Sequence, residues 1–271
     1  MNGASREALA AARERLDALT DSTSVDAAQL ADELAAVTAL LHREVSLRRV
    51  LTDPAQPGEA KAELVGRLLG GQVGTATTDL VSGLVRSRWS QSRDLVDALE
   101  ELADIADLTA AQRTGRLDSV EDELFRFGRI VASNTELRAA LTDRKATKSA
   151  KVELLHRLLG GRADVTTERL VTRLVTAPRG RSLEAGLESL SKLAAERRER
   201  LVAVVTSAVP LSDPQKQRLG AALAKLYGRT MHLNLDVDPE VVGGIRVQVG
   251  DEVINGSLAD RLEDAARRMA S

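Results

Sequence analysis

The sequence lacks cysteine altogether, and aromatic residues make up only 1% of its 271 residues. The absence of cysteine excludes disulfides, thiolate metal sites and cysteine nucleophiles. The scarcity of aromatic rings argues against single-stranded nucleic-acid binding, because such proteins stack bases on aromatic side chains. A net charge of −2 points the same way, since nucleic-acid binding needs a positive surplus to displace counterions.

The sequence also lacks a long apolar run. The segment 1–19 mixes acidic and basic side chains and has no apolar core, so it does not resemble a secretory signal, and its acidic residues are unusual for a transit peptide. The longest uncharged apolar stretches, such as 201–210, are too short to cross a bilayer. We expect a soluble, cytoplasmic protein that meets a membrane only indirectly, as part of a complex.

An internal repeat dominates the first 200 residues. The segment Leu47-Arg-Arg-Val-Leu-Thr-Asp53 recurs as Leu137-Arg-Ala-Ala-Leu-Thr-Asp143, at an offset of 90 residues (137 − 47). At the same offset, Lys61-Ala-Glu-Leu-Val-Gly-Arg-Leu-Leu-Gly-Gly71 recurs as Lys151-Val-Glu-Leu-Leu-His-Arg-Leu-Leu-Gly-Gly161. A shared register over this distance indicates a duplication.

Each copy has the three-to-four spacing of amphipathic helices, and a Gly-Gly pair closes one helix in each. These pairs could be phosphate-binding loops or helix C-caps. No strand precedes either pair, as a nucleotide loop requires, so the C-cap interpretation is favoured. Short amphipathic helices with a core of Leu, Val and Ala are typical of a helical bundle.

After residue 200 the pattern changes. A β-branched run over 201–209 and alternation over 231–237 predict strands, and a helix begins near Ser212. Two further strands, 244–249 and 252–254, flank Gly250-Asp251, and a last helix begins at Ser257. The chain is therefore expected to be mainly α: a helical bundle unit over 1–111, its tandem duplicate over 112–200, and a small α+β C-terminal domain over 201–271.

No arrangement of residues suggests catalysis. The histidines His42, His156 and His232 have no metal-ligand spacing, and surface positions explain them better than a metal site. Walker, G-x-G-x-x-G and G-x-S-x-G motifs are absent. We expect no catalytic, cofactor-binding or metal-binding residue, and no cofactor.

The remaining features indicate interaction. Trp89, the single tryptophan, is equally well explained as an interface residue or as the cap of a bundle core. The mixed-charge run 196–200 suits a solvated helix end better than a charged hinge between domains.

The chain from residue 195 onward resembles the delta subunit of bacterial F-type ATP synthases, known in mitochondria as the oligomycin-sensitivity-conferring protein. The matching segments are Val204-Val-Thr-Ser-Ala-Val-Pro-Leu-Ser212, Leu235-Asp-Val-Asp-Pro-Glu-Val-Val-Gly-Gly-Ile245 and Val247-Gln-Val-Gly-Asp-Glu-Val-Ile-Asn-Gly-Ser-Leu258. The upstream repeat is similar to the family's helical domain: an extended Leu-Arg element, a Lys-Glu-Leu-Leu helix, and a Leu-Val helix leading into Gly180-Arg181.

The resemblance implies a mechanical, non-catalytic role as a stator subunit of the peripheral stalk. The N-terminal helical domain would hold the N-terminal helices of alpha subunits, with candidate contacts at Ala8, Leu9, Leu80, Leu84 and Trp89. The C-terminal domain would hold the end of the b-type stalk subunit, with candidate contacts at Val242, Ile245, Val253 and Leu258. Together they would resist rotary torque at the cytoplasmic face of the bacterial plasma membrane, without nucleic acid as a partner.

Two departures from the family stand out. Family members usually have one helical unit, and their first helix has Tyr-Ala where this chain has Ser5-Arg6. We expect segment 1–19 to pack near residues 80–85, so that the first copy carries the groove for the alpha subunit and the second acts as a spacer. The alternatives are a generic helical-repeat scaffold, for which nothing would demand the specific α+β tail, and an enzyme with an unrecognised site.

Overall fold

The computed structural model describes residues 1–21, 25–199, 201–227, 231–238, 244–249 and 252–255. The chain divides into two compact units, residues 1–197 and residues 198–271. The first contains helices α1 (Gly3–Asp21), α2 (Ala27–Arg43), α3 (Val45–Thr52), α4 (Gly58–Leu69), α5 (Thr75–Arg86), α6 (Ser92–Arg113), α7 (Leu117–Ser133), α8 (Thr135–Thr142), α9 (Lys148–Leu159), α10 (Val165–Thr176) and α11 (Leu183–Glu199). The second contains β1 (Leu201–Ser207), α12 (Asp213–Tyr227), β2 (Met231–Val237), β3 (Ile245–Val249) and β4 (Glu252–Asn255). The prediction of a mainly helical chain with a small α+β C-terminal part is confirmed.

The 90-residue repeat reappears in the helix boundaries. Helices α2 to α5 recur as α7 to α10 with the same lengths and an offset of 90 residues at every start (117 − 27 for the first pair). The division of the helical part into 1–111 and 112–200 stays an interpretation of this repeat, because residues 1–197 pack as one unit.

One hydrogen-bond arrangement recurs in both copies. A carboxylate oxygen of Glu33 on α2 accepts from the backbone N–H of Gly74, at 2.9 Å, and from the Thr77 hydroxyl at the start of α5. Its counterpart Glu123 accepts from the N–H of Asp164, also at 2.9 Å, and from Thr167 at 2.5 Å. A carboxylate at a helix N-terminus satisfies free N–H groups and complements the helix dipole. The same contact therefore fixes α5 on α2 and α10 on α7.

The Gly-Gly pairs act as helix ends. The N–H groups of Gly70 and Gly160 bond the carbonyls of Gly66 and His156, and the glycines that follow have φ of 76° at position 71 and 68° at position 161. A residue at positive φ stops the helix, and glycine adopts it without steric cost. This geometry agrees with the C-cap interpretation.

The Leu-Arg segments are helical, which corrects the expectation of an extended element. Residues 47–52 lie in α3 and residues 137–142 in α8, each a helix of eight residues. Leu47 and Leu51 pack towards the core one helical turn apart, and this spacing stabilises a helix although the segment is short.

Helix α6 lies at the centre of the helical unit. Fifteen of its 22 residues are buried, a burial expected of a helix surrounded by others. It contacts α1, α2, α3 and α5 of the first copy and α7 and α10 of the second. The two copies thus share α6.

The C-terminal unit has a four-stranded sheet in the order β2-β1-β3-β4. β1 pairs in parallel with β2 across α12 and antiparallel with β3, which pairs antiparallel with β4. Its small core is built on Val205, Leu223 and Val247. The predicted strands and α12 are confirmed, whereas the Gly250-Asp251 turn and the helix expected from Ser257 lie outside the described residues.

Candidate partner-binding groove

A narrow groove of about 200 Å³ runs between α1 and α5. We call it the first groove; its lining is Ala8, Ala11, Ala12, Arg15, Leu80, Gly83, Leu84 and Ser87. Most of these side chains are small, so they cover little of the α1 and α5 backbones that form the walls of the groove. Such a lining lets another helix approach closely.

The sequence places α1 beside α5 through an apolar stripe and polar anchors. Ala8, Leu9, Ala12 and Leu16 recur at helical spacing and are buried. The Ser5 hydroxyl donates to Asp94 of α6 at 2.7 Å and accepts from the Ser90 N–H at 2.8 Å. The expected packing of segment 1–19 near residues 80–85 is observed.

Gly83 lies in the wall that α5 gives to the first groove. A Cβ atom at this position would lie 3.6 Å from Cδ of Arg15, an ordinary van der Waals contact. The glycine therefore leaves space in the groove, although the backbone conformation at this position does not require a glycine.

The second copy places Arg173 where the first has Gly83, 90 residues earlier (173 − 83). Helix α6 packs on α10 there, as α1 packs on α5 in the first copy. Arg173 donates to Asp104 and to Asp107 of α6, at 2.6 Å in each case, and Arg169 bonds Asp107 at 3.0 Å. We call these four residues the ionic seam. The Arg173 side chain and its two carboxylate partners therefore occupy the place of the equivalent groove between α6 and α10.

Burial governs the protonation of the ionic seam. It raises the pKa of Asp104 to about 7, although the Arg173 guanidinium opposes this shift. Burial also raises the pKa of Asp107, against the opposing effects of Arg173 and Arg169. The pKa of Arg173 is raised, because its two carboxylate partners outweigh the effect of burial.

Three of the five residues expected at the alpha-subunit site line the first groove: Ala8, Leu80 and Leu84. Leu9 and Trp89 do not. Trp89 is 8% exposed, and its indole N–H donates to the Leu84 carbonyl at 2.8 Å. Of the two interpretations of Trp89, the structure agrees with a cap on the bundle core.

Sequence reasoning missed the other five residues of the lining: Ala11, Ala12, Arg15, Gly83 and Ser87. Gly83 and Ser87 follow Leu80 and Leu84 at helical spacing, but only the position of α1 reveals that they share a groove. The repeat alignment of Gly83 with Arg173 was the available signal, since an exchange of glycine for arginine changes both volume and charge.

The residues expected at the b-subunit end divide into two groups. Ile245 is partly buried against the C-terminal core, and Val253 is 44% exposed on β4. Val242 and Leu258 lie outside the described residues.

The described ranges contain no cluster of three or more His, Asp or Glu side chains that could hold a metal ion. Of the three histidines, His42 and His156 are exposed, and the His156 ring lies 2.8 Å from Glu168. In the same ranges, no helix combines the length and apolar character needed to cross a bilayer.

Comparisons with known proteins agree with one another. The family model described as ATP synthase delta (OSCP) subunit matches residues 106–269. The ATP synthase subunit delta of Streptomyces coelicolor is 84% identical over 271 residues, covering 100% of this chain and 99% of that protein. The protein of the same description from Thermobifida fusca is 50% identical and is covered in full.

A chain in the cryo-EM structure of the Toxoplasma gondii mitochondrial ATP synthase hexamer shares 18% identity at a TM-score of 0.28, covering 62% of this chain and 97% of that chain. That likeness is too weak to inform the geometry. The family match and the high identity over the whole chain assign the role. The chain belongs to the ATP synthase delta (OSCP) subunit family, whose members are structural, non-catalytic subunits of the ATP synthase peripheral stalk.

Proposed function

We propose that this chain links the catalytic head of the ATP synthase to the b-type stalk subunit and resists the torque of rotary catalysis. The first groove binds an N-terminal helix of an alpha subunit, and the C-terminal unit binds the end of the b-type subunit. In this proposal the chain lies at the cytoplasmic face of the bacterial plasma membrane and meets the membrane only through the complex.

The contrast between Gly83 and Arg173 is the observation that carries the proposal. An amphipathic helix binds by laying its apolar face into an apolar groove. Gly83 leaves the first groove open to such a face, whereas Arg173 fills the equivalent position of the second copy with a paired charge. The first copy is therefore the one that binds the alpha subunit.

The ionic seam supports the mechanical part of the proposal. It connects α10 of the second copy to α6, which packs against the helices of the first copy. Arg169 adds a contact of 3.1 Å to Asp32 on α2. A linker under torque must transmit force without bending between its copies, and these bonds join helices from both.

The exposed apolar side chains of the C-terminal unit support its role in binding the stalk. Val209 is 67% exposed, Leu226 66% and Val253 44%. β4 also lies at an edge of the described sheet. A strand edge can pair with another chain, and Val253 adds an exposed apolar side chain to the strand at this edge.

The substitution Gly83→Arg tests the assignment of the first groove. Arginine there would occupy the groove as Arg173 does in the second copy, and it favours a helix more than glycine does. We expect the variant to bind the isolated catalytic head at least about tenfold more weakly, a loss of about 1.4 kcal/mol. Calorimetric titration of the head with each purified chain measures this.

Gly66→Arg is the matched control, since it also introduces arginine into a helix of the first copy. Nothing lies within 4 Å of a Cβ atom at position 66, so this variant should bind like the wild type. Unchanged binding by the Gly83→Arg variant would reject the first groove as the alpha-subunit site.

A truncation tests the role of the C-terminal unit. Tagged chains lacking 201–271 should lose the b-type subunit but retain alpha and beta subunits in a pull-down from solubilised membranes.

A further inference from the structure

A cleft of about 900 Å³ opens in the second copy, away from the first groove. It lies between α8, the N-terminus of α9, the C-terminus of α10 and the turn that leads into α11. Its volume is in the range of natural ligand-binding clefts. We call it the basic cleft, after the cations in its lining: Arg138, Arg144, Lys148, Lys151 and Arg181.

The basic cleft has a surplus of positive charge, because its lining has five cations against the two carboxylates of Asp143 and Glu184. Arg138 lies 3.5 Å from Glu184, and Arg181 pairs with the buried carboxylate of Glu100. Arg144, Lys148 and Lys151 form no ion pair with any residue in the described part of the chain. Three free cations thus face one opening, where like charges repel and a bound anionic group would relieve the repulsion.

The first copy is closed at the equivalent place. A Cβ atom on Gly58, at the start of α4, would lie 3.3 Å from the Arg86 Cα at the end of α5, so the two backbones nearly touch. Arg86 also makes two hydrogen bonds of 2.9 Å to Glu59. The counterparts of Glu59 and Arg86 are Ser149 and Thr176, which are uncharged and cannot form this pair.

The basic cleft also differs in charge from the equivalent place in the first copy. Lys148 stands at the counterpart of Gly58, and Arg144 at that of Pro54. Lys61 of the first copy is 6% exposed, with its ammonium group near the Asp53 carbonyl, whereas its counterpart Lys151 lines the basic cleft. The two copies therefore differ by an opening and by added cations at one site.

We infer that the basic cleft binds an acidic, amphipathic protein segment of a neighbouring ATP synthase subunit. The free cations would contact its carboxylates, and aliphatic side chains would supply an apolar floor, from Leu141, Leu174, Val175 and Leu183. The lining contains no aromatic residue, so it offers no stacking surface for bases. Its concave shape suits an inserted segment better than a flat membrane surface. This inference is independent of which helix occupies the first groove.

Zero-length carbodiimide coupling in the isolated, intact ATP synthase tests the inference. The reagent joins a lysine amine to a carboxylate in direct contact, and mass spectrometry identifies both residues. We expect Lys148 or Lys151 to couple to Asp or Glu of an acidic segment in another subunit. The variant Lys148→Arg/Lys151→Arg keeps the charge but has no amine there, so it should assemble normally and lose this product.

Absence of any intersubunit product at Lys148 and Lys151, in a sample where other lysines of the complex couple, would overturn the inference. If the cross-link is missing and the free chain instead floats with anionic phospholipid vesicles, in a way that depends on the same cations, the inference is also overturned. That pair of results would assign the cleft to a membrane surface.

A synthetic peptide of the cross-linked segment then measures the contribution of charge. The variant Arg144→Glu/Lys148→Glu/Lys151→Glu should bind it at least about tenfold more weakly than the wild type. The control Arg49→Glu/Arg67→Glu/Arg162→Glu makes the same change at exposed positions outside the cleft and should bind normally. Equal weakening of peptide binding by both variants would show that only the overall charge of the chain matters, and would contradict specific binding in the basic cleft.

Discussion

At the scale of single residues, the two helical copies differ most clearly at Gly83 and Arg173. The glycine leaves a groove between two helices open, and the arginine closes the equivalent groove with two carboxylates of α6. Removing one partner of such a buried pair leaves an uncompensated charge, which costs about 3–5 kcal/mol. The second copy therefore cannot easily regain an apolar groove by one substitution.

Asp104 gives the helical unit a specific pH dependence. Its pKa is about 7 in the folded protein, against about 4 in an unfolded chain. Between these values the folded state holds a proton that the unfolded state has lost, so stability falls as pH rises. Relative to the variant Asp104→Asn, the wild-type free energy of unfolding should fall by up to about 1.4 kcal/mol per pH unit between about pH 5 and 7.

Urea unfolding followed by tryptophan fluorescence measures this difference. Trp89 is the single tryptophan and is buried in the helical unit, so it reports on that unit alone. Above about pH 8 the difference between the wild type and the variant should become constant, because Asp104 is then ionised in both states. A difference that stays the same from about pH 5 to 8 would show that Asp104 is ionised throughout this range.

At the scale of helices, Glu33 and Glu123 lead to a prediction about the repeat. Each carboxylate accepts hydrogen bonds at the N-terminus of the third helix after its own, α5 for Glu33 and α10 for Glu123. Hydrogen bonds to charged groups stabilise more than neutral ones, so Glu33→Gln and Glu123→Gln should each lower the free energy of unfolding by about 1–2 kcal/mol. Glu63→Gln, on the exposed face of α4, is the control and should have little effect.

Thermal unfolding followed by circular dichroism compares the three variants. Similar losses for Glu33→Gln and Glu123→Gln would show that the two contacts stabilise their copies to a similar extent. A loss in one variant alone would argue that the two contacts are not equivalent.

The sequence predicts the helices and strands better than it predicts the groove. Leucine spacing identifies α4, α5, α9 and α10, and Gly-Gly pairs mark the ends of α4 and α9. A β-branched run identifies β1, and alternation identifies β2. The resemblance to the family implies an extended Leu-Arg element, whereas these residues lie in the eight-residue helices α3 and α8; a segment of this length carries too little periodicity to decide between the two. The groove depends on where α1 packs against α5, and the burial of Trp89 depends on the same tertiary contacts.

At the scale of the whole molecule, the division into units 1–197 and 198–271 leads to a further prediction. A compact unit with its own core can fold alone. We expect the fragment 1–197 to bind the catalytic head with the affinity of the full chain, and the fragment 198–271 to show no such binding. Calorimetric titration of the head with each fragment measures this, and head binding by 198–271 would reverse the proposed assignment of the two ends.

The most direct test of the account is a cryo-EM reconstruction of the intact ATP synthase that contains this chain. The account predicts an alpha-subunit helix in the first groove between α1 and α5, and no helix inserted between α6 and α10, where Arg173 closes the equivalent groove. A helix of an alpha subunit inserted between α6 and α10, with the first groove empty, would contradict it.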